Sequence, residues 1–326
     1  MPGRKQPNGI VRHGVLIVSA CVALTGPALA QSPGSAPARP EAPETDPEND
    51  GDQPTQLEEI VVIGDRPLIA AVEEYIAEVS SPVRSRGLAR WTDPVCVGVI
   101  NLQHELAQQL ADRVSDLARE IALGAQEPGC RPDVLIVGAD DGAAMAEAMV
   151  DSNPGLFRPG SLRMVQPRSA LRIFTTSTAP VRWWTVSAPV DSLTGQIVVR
   201  LPGQPPPTLE VRRFSGRRAQ IRDDIQQVFV IVDMQAASGV SVDQLADYLA
   251  VVALSQVDDD PSAPGFNTIL NLFAADVDAP EGLTDWDRAY LSSLYAARNE
   301  RILPHRQAEA MAASLAESGS RHEAED

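Results

Sequence analysis

Apolar residues are spaced in two different patterns along residues 57–305, and together the patterns predict a mixture of strands and helices. Short, nearly continuous apolar runs are typical of buried strands, and they occur at 59–65, 95–102, 133–138, 181–188, 196–201 and 228–233. Apolar residues three or four positions apart predict helices at 67–80, 103–123, 141–151, 168–175, 240–256, 267–273 and 284–298. Because the two kinds of segment do not alternate strictly in the middle of the chain, the pattern favours an α+β fold, with helices packed on a mixed sheet, over a doubly wound parallel sheet.

The segment 240–256 predicts a well-capped core helix that directly follows a buried strand. Ser241 and Gln244 have the S-x-x-Q spacing of a capping box. A broad apolar face follows, made of Leu245, Tyr248, Leu249, Val252 and Leu254.

The predicted domain lies between terminal segments of a different composition. Residues 1–30 combine a basic start, the apolar run GVLIVSACVAL and small residues at Ala28 and Ala30, which is the pattern of a signal peptide cleaved after Ala30. We therefore expect export to the periplasm, and the run is too short to predict a membrane span. The alternative is a lipoprotein anchored through Cys21.

Composition also sets the other expected boundaries. Residues 31–56 are acidic and Pro-rich, which predicts a disordered leader, and residues 306–326 predict a flexible tail. Between them, residues 57–305 predict an α+β domain with a sub-boundary near 217–222, where the chain is polar and basic.

Export would sharpen the acidic character of the chain. The sequence has 27 basic and 44 acidic residues, and residues 1–30 hold three of the basic ones, so the exported chain has a formal charge of −20. That charge disfavours nucleic acids and anionic lipids as partners, because both bind basic surfaces. Lys5 is the only lysine, so the exported chain lacks the side chain that Schiff-base catalysis requires.

The two cysteines outside the signal peptide, Cys96 and Cys130, predict a disulfide. Each lies at or just before a strand-like run, and a predicted helix separates the two runs. Parallel strands joined by a helix begin at the same end of a sheet, so the two sulfurs would meet there. Two free thiols remain the alternative, whereas a cysteine metal site is disfavoured because no other Cys or His lies nearby.

Four segments of the C-terminal half follow one another in a distinctive order. They are FVIVDM, the helix at 240–256, NTILNLF and GLTDWDRAYLSSLYAAR. This order resembles a bacterial family of zincin-like metallopeptidases, in which a buried strand precedes a helix beginning His-Glu-Glu-Leu, followed by a Ser-Ile-Phe-Asn-like segment and a Leu-Thr-x-x-Asp helix ending Leu-Tyr. The resemblance covers residues 226–300 and implies a zincin-like C-terminal half. The whole chain more nearly resembles uncharacterised exported proteins of alphaproteobacteria.

The residues that would bind a metal in that family are missing here. At the His-Glu position the chain has Ala246 and Asp247, and one turn later it has Ala250 and Val251. A zinc site on a helix requires two imidazoles on one face and a carboxylate base between them. We therefore expect a degenerate frame with no metal and no other cofactor. The alternative is that the match reflects ordinary helix packing.

The histidines do not supply a metal motif elsewhere. His104 precedes Glu105, as in a metallopeptidase helix, but the position of the second histidine holds Gln108. His305 and His322 lie near the C-terminus, far from His104 in the chain. We expect all three on the surface.

Aspartates are the remaining candidates for catalysis. Asp247 lies on the helix of the missing metal motif, and Asp140 and Asp141 follow a buried strand, where α/β folds often place active-site residues. Paired carboxylates can perform acid–base catalysis without a metal, so a carboxylate-dependent hydrolase is one alternative function. Asp141 is also a favourable helix cap, which is the preferred interpretation. The run at 258–260 predicts a solvated loop, since it lacks the ligand spacing and glycine of a calcium loop.

Two segments are candidates for binding a partner. Alternation along a strand places one ring of Trp183 and Trp184 inward and the other outward beside Arg182, where it would form a contact patch or pack under a loop. Residues 57–67, LEEIVVIGDRP, resemble the TonB box of outer-membrane receptors, with candidate contacts at Ile60, Val61, Val62 and Ile63. The alternative is that this segment is the first strand of the domain.

Together these patterns favour a non-catalytic binding or scaffold protein of the cell envelope on a degenerate zincin-like frame. Its partner would be another envelope protein. The alternatives are the carboxylate-dependent hydrolase and an accessory of TonB-dependent uptake that engages TonB through the segment at 57–67.

Overall fold

The computed structural model describes residues 65–83, 86–159, 166–201, 203, 205–208, 220–275, 277–296 and 304–325. Residues 59–326 form one compact unit. The predictions for residues 1–64 lie outside the described residues. They are the signal peptide, the Pro-rich leader and the strand or TonB-box segment.

The described residues form four strands, eight α-helices and one short 3₁₀ helix. The strands are β1 Val97–Ile100, β2 Val134–Ala139, β3 Val181–Asp191 and β4 Ile221–Asp233. The α-helices are α1 Asp65–Val79, α2 His104–Glu120, α3 Gly142–Ser152, α4 Pro154–Phe157, α5 Arg168–Thr176, α6 Val242–Leu254, α7 Asp285–Ala296 and α8 Pro304–Glu325. The 3₁₀ helix is Ile269–Phe273. Most of these elements match the predicted segments to within a few residues at each end.

The strands form one mixed sheet in the order β1-β2-β4-β3, which confirms the predicted α+β class. β1, β2 and β4 are parallel, and β3 pairs with β4 in the antiparallel sense. β3 is therefore an edge strand, with β4 on one side only. A register shift at Val186 and Ser187 divides its ladder.

Helices cover both faces of the sheet. The larger apolar cluster joins α1, α2, α6, α7 and α8 to one face, and it includes Val134, Trp183 and Val230 of the strands. The smaller cluster joins α3, α4 and α5 to the opposite face, through Trp184 and Phe229. Successive residues of a strand thus belong to different clusters, because their side chains point alternately to the two faces of the sheet.

The predicted strand at 196–201 is wrong. Only an isolated bridge between Val190 and Ile197 forms there, supported by a hydrogen bond of 3.0 Å from the Val198 N–H to the Pro189 carbonyl. Proline has no N–H to return, so the ladder cannot continue past this point. The apolar run therefore borders β3 without joining the sheet as a strand.

The Cys96–Cys130 disulfide is confirmed. Cys96 immediately precedes β1, and Cys130 lies in the loop before β2. Their Cα atoms are 6.0 Å apart, a normal separation for a disulfide. The bond ties together the starts of two parallel neighbouring strands.

Helix α8 closes the larger cluster at the C-terminal end. Ala308 and Met311 are fully buried, and the helix packs on α1 and α7. It includes the segment that composition assigned to a flexible tail. Among the described residues, no helix has the combination of length and apolarity that crossing a membrane requires.

Candidate functional site

The two positions of α6 at which the resemblance would place metal ligands lie inside the core. Ala246 and Ala250 on α6 are buried in the larger apolar cluster. Asp247 forms an ion pair with Arg113 of α2 and accepts a hydrogen bond of 2.7 Å from the Leu283 N–H. Its carboxylate therefore fastens α6 to α2 and to the loop before α7.

The other two predicted aspartates, Asp140 and Asp141, lie at the carboxyl edge of the sheet. Asp141 accepts a hydrogen bond of 2.9 Å from the Ala144 N–H, so its capping role is confirmed. Asp140 is exposed beside it. Asp247 belongs to the face that carries α2 and α6, whereas Asp141 starts α3 on the opposite face. The described contacts therefore do not bring the three carboxylates into one acid–base site.

A buried arginine that sequence reasoning passed over lies at the same edge. The guanidinium of Arg182 packs against Gly142, and its Nη2 donates to the Ala179 carbonyl at 3.2 Å. Burial lowers the pKa of Arg182, and the charges of Asp233 and Asp141 oppose that shift. Among the described residues its Nε and Nη1 have no hydrogen-bond partner.

Asp233 ends β4 and organises the start of α3. Its carboxylate accepts hydrogen bonds from the Gly142 N–H at 3.0 Å and from the Ala236 N–H at 3.0 Å. These donors lower the pKa of Asp233. The carboxyl edge is thus a capped structural junction in which the guanidinium of Arg182 lies near the carboxylates of Asp233 and Asp141.

The histidines of the described chain stay apart. His104 begins α2 and His305 lies in the first turn of α8, and both are exposed. His322 lies in α8 as well. Within the described ranges, no group of three or more His, Cys, Asp or Glu side chains could hold a metal ion.

Trp183 and Trp184 lie on opposite faces of the sheet, as alternation predicts, but neither ring is exposed. Trp183 donates to the Val257 carbonyl at 3.3 Å and joins the larger cluster. Trp184 donates to the Phe157 carbonyl at 2.8 Å and joins the smaller one. The outward ring of Trp184 is therefore packed under neighbouring elements, α4 and α5, and of the two alternatives the exposed contact patch does not form.

Along part of β3, the outward backbone groups have no partner within the described ranges of the chain. Asp233 donates to the Pro180 carbonyl, and in an antiparallel ladder the residues that bond to the neighbour alternate with residues that point away. The N–H and C=O groups of Val181, Trp183 and Thr185 must therefore point away from β4. They have no backbone or side-chain partner among the described residues.

The outer edge is paired farther along the same strand. The Ser187 carbonyl accepts from Arg86 at 3.3 Å, Pro189 accepts from Val198, and the Asp191 N–H donates to the Gln196 carbonyl at 2.8 Å. Ser187, Pro189 and Asp191 are therefore the next outward-pointing residues in the same alternation as Val181, Trp183 and Thr185. The open part of the edge is therefore limited to residues 181–185.

A cleft of about 60 Å³ follows this open edge. Five consecutive residues of β3, 181–185, line it, although their side chains alternate between the two faces. A cavity touches consecutive residues of a strand only when it lies along the strand's edge. One wall is formed by Gln166 just before α5 and by Ala170, Ile173, Phe174 and Ser177 of the α5 region, and the Gln166 side chain donates a hydrogen bond of 3.2 Å to the Ser81 carbonyl of the opposite wall. The opposite wall is formed by Ser81, Val257 and Asp259.

A buried hydroxyl and a pair of carboxyl groups distinguish the second wall from the first. The Thr185 hydroxyl is buried and has no hydrogen-bond partner within the described part of the chain. Asp259 and Asp258 share a side-chain hydrogen bond, and this bond, partial burial and charge repulsion raise the pKa of Asp259 to about 6. Asp258 in turn is bonded to Ser81. A carboxyl pair therefore lies at the rim of the cleft.

No family model, curated protein or solved structure matches this chain. A proposal of function therefore rests on the contacts described above. The open edge of β3 is the candidate functional site, because it combines a cleft with polar groups that lack partners.

Proposed function

We propose that this chain is a non-catalytic binding protein of the cell envelope that holds an extended peptide along the open edge of β3. The observation that carries the proposal is the set of outward N–H and C=O groups on Val181, Trp183 and Thr185, for which the described part of the chain provides no partner. Addition of a strand to an exposed sheet edge is a common mode of peptide recognition, in which main-chain hydrogen bonds provide affinity.

The energetics favour a partner at this edge. Val181, Trp183 and Thr185 are 2%, 8% and 7% exposed, so their outward groups are poorly placed to bond to bulk water. A buried polar group without a partner costs about 1–3 kcal/mol. An extended peptide would satisfy up to three donors and three acceptors at once, which is the pattern that buried backbone normally shows.

The walls of the cleft favour binding of a single extended strand over pairing with the sheet of a second folded protein. The edge lies between α5 on one side and the Val257–Asp259 segment on the other. Pairing of two folded sheets edge to edge requires free access to the edge from both faces. A lone extended segment would direct alternate side chains at the two walls, and its entry would require the hydrogen bond of 3.2 Å from the Gln166 side chain to the Ser81 carbonyl to open.

Two further observations support the remaining parts of the proposal. The Cys96–Cys130 disulfide is of the kind that forms and persists in oxidising compartments, which supports export. Ala246 and Ala250 are buried in the apolar core, so α6 offers no metal ligand at these two positions, and the zincin-like frame rests on the order of the sequence segments alone. The core interactions of Asp247 support a structural role for that carboxylate rather than a hydrolytic one.

The test uses the chain from residue 31 with its disulfide intact and the synthetic peptide acetyl-TVKVTV-amide. Binding is measured by calorimetry, together with two control peptides that are N-methylated at odd or at even positions. We expect one methylated peptide to bind like the parent and the other to lose binding, because only one set of amides faces the edge. Equal binding of all three would contradict strand addition.

Amide exchange measured by NMR locates the peptide. We expect the amides of Val181, Trp183 and Thr185 to gain protection on binding. Those of Arg182 and Trp184, which already bond to β4, should change little. Protection elsewhere with none at these three amides would place the binding site away from β3 and overturn the proposal.

A further inference from the structure

We infer that the cleft beside β3 selects strands that carry a basic side chain, Lys or Arg, facing Asp259. This inference rests on the proposed function and deepens it by naming the class of peptide. The chemistry of the two walls, the placement of one unpartnered hydroxyl and the charge of the chain each support it.

The two walls differ in charge. On the face of α5, the side chains of a bound strand would meet the apolar Ala170, Ile173 and Phe174 together with Gln166 and Ser177, which are polar but uncharged. On the opposite face they would meet Ser81, Val257 and Asp259. Because successive side chains of a strand point to opposite faces, the matching peptide alternates apolar residues with polar ones.

Thr185 belongs to the wall that contains Asp259. Val181 and Trp183 point into the larger cluster, which also contains Val257. Thr185 lies two residues beyond Trp183 along β3, so its side chain faces the same side of the sheet. Its hydroxyl is buried and lacks a hydrogen-bond partner among the described residues. A polar side chain of the peptide that reaches Asp259 would pass this hydroxyl and give it a partner.

Asp259 is the charge that such a side chain would meet. Among the described residues that line the cleft, Asp259 and Arg182 are the only titratable ones. Asp258 and Asp260 adjoin Asp259 and repel its charge, and the hydrogen bond that the Asp259 carboxyl donates to Asp258 is the main cause of its raised pKa. Arg182 has the parity of Trp184 and lies near Asp233 and Asp141, on the other face. A cation from the peptide would relieve the repulsion among the three aspartates.

The charge of the exported chain acts in the same direction. Its 44 acidic residues exceed the basic ones remaining after residue 30 by 20. Such a field attracts basic segments and repels acidic ones. The segment at 57–65, LEEIVVIGD, is acidic, so that segment of a second copy is a poor match for the cleft despite its β-branched residues.

The test compares acetyl-TVKVTV-amide, acetyl-TVQVTV-amide and acetyl-TVEVTV-amide on the same disulfide-bonded chain. The central residue shares a face with the two outer threonines, opposite the valines. We expect the Lys peptide to bind about fivefold more tightly than the Gln peptide, and the Glu peptide to bind about fivefold more weakly, as for a partly exposed ion pair. The substitution Asp259→Asn should remove most of these differences in affinity among the three peptides.

Asp243→Asn is the matched control variant. It removes the same charge from the exposed first turn of α6, at the other end of that helix from Val257. The preference for Lys should persist in this variant. It should fade as the pH falls from 7.5 to 5, because Asp259, with a pKa of about 6, becomes protonated over that range.

The outcomes separate the two proposals. If the three peptides bind equally and N-methylation at one parity still abolishes binding, strand addition holds and the selection for a basic side chain is overturned. If the ranking of the three peptide affinities persists in Asp259→Asn but is lost in Asp243→Asn, the charge that discriminates among the peptides is not that of Asp259, and the inference is overturned. If none of the peptides binds, both the inference and the proposed function fail.

Discussion

The hydroxyl of Thr268 donates a hydrogen bond of 2.5 Å to the carboxylate of Asp287 in the interior of the protein. Neither residue is exposed. Asp287 also accepts from the Ile269 N–H at 2.9 Å and from the Thr284 N–H at 3.0 Å. One buried carboxylate therefore caps the 3₁₀ helix and the start of α7 together.

Truncation of this carboxylate should destabilise the fold. In Asp287→Ala, the Thr268 hydroxyl and the Ile269 N–H would remain buried without an acceptor, so we expect the free energy of unfolding to fall by about 3 kcal/mol. Urea denaturation measures the change. Asp285→Ala, at an exposed position in the same helical turn, should cost less than about 1 kcal/mol. Equal losses in the two variants would contradict this role for Asp287.

Asp287 should also make stability depend on pH. Burial raises the pKa of Asp287 above its ordinary value, despite the hydrogen bonds that lower it. The folded state therefore prefers the protonated form, and the contribution of Asp287 to stability is lost as pH rises through the raised pKa. We expect the unfolding free energy of the wild type minus that of Asp287→Asn to be larger at pH 4.5 than at pH 7.5. A difference that is independent of pH, or larger at pH 7.5, would contradict the direction of the shift.

Loss of the Cys96–Cys130 disulfide should lower stability substantially. The bond closes a loop with a sequence separation of 34, and the loop-entropy model gives about 4 kcal/mol for a loop of that size. We expect Cys96→Ala/Cys130→Ala to lose this amount in urea denaturation at pH 7. Dithiothreitol should weaken the wild type by a similar amount and leave the double variant unchanged. A variant as stable as the oxidised wild type would show that the bond does not stabilise the fold.

Features fixed by neighbouring residues could be predicted from the sequence. Ser241 and Gln244 form both hydrogen bonds of the predicted capping box, each at 3.1 Å. The Asp141 cap is of the same kind, because its acceptor and donor are three residues apart. The disulfide was predictable for a related reason, since one strand–helix–strand unit contains both cysteines.

Features fixed by distant residues could not be predicted. β4 begins at Ile221, although its first residues include the charged Arg222, Asp223 and Asp224, which predict a polar connection. Arg222 pairs with Asp224 at 2.8 Å, and Arg86 pairs with Asp223, so the charges are balanced within the fold. The open edge of β3 depends in the same way on strand order, which no local pattern along 181–191 encodes.

The ion pair between Arg113 and Asp247 should couple α2 to α6 energetically. The two residues are 134 positions apart in the chain, and the side chain of Asp247 is largely buried. We expect a double-mutant cycle of Arg113→Ala and Asp247→Ala to give a coupling of about 1–3 kcal/mol in the free energy of unfolding. The same cycle between Arg119, an exposed residue of α2, and Asp247 should give almost none. Additive losses for Arg113 and Asp247 would show that their contact contributes nothing.

Removal of the Thr185 hydroxyl should stabilise the protein without a peptide. The hydroxyl is buried and has no partner in the described chain, so the folded state bears its desolvation cost with no hydrogen bond in return. Thr185→Val keeps the branched shape and the outward N–H, and we expect the free energy of unfolding to rise by about 1 kcal/mol. Thr185→Ser, which keeps the hydroxyl and loses a methyl group, should instead be destabilised. A loss of stability in Thr185→Val would mean that the hydroxyl already has a partner, and the cleft would then lose one of the polar groups that mark it as a binding site.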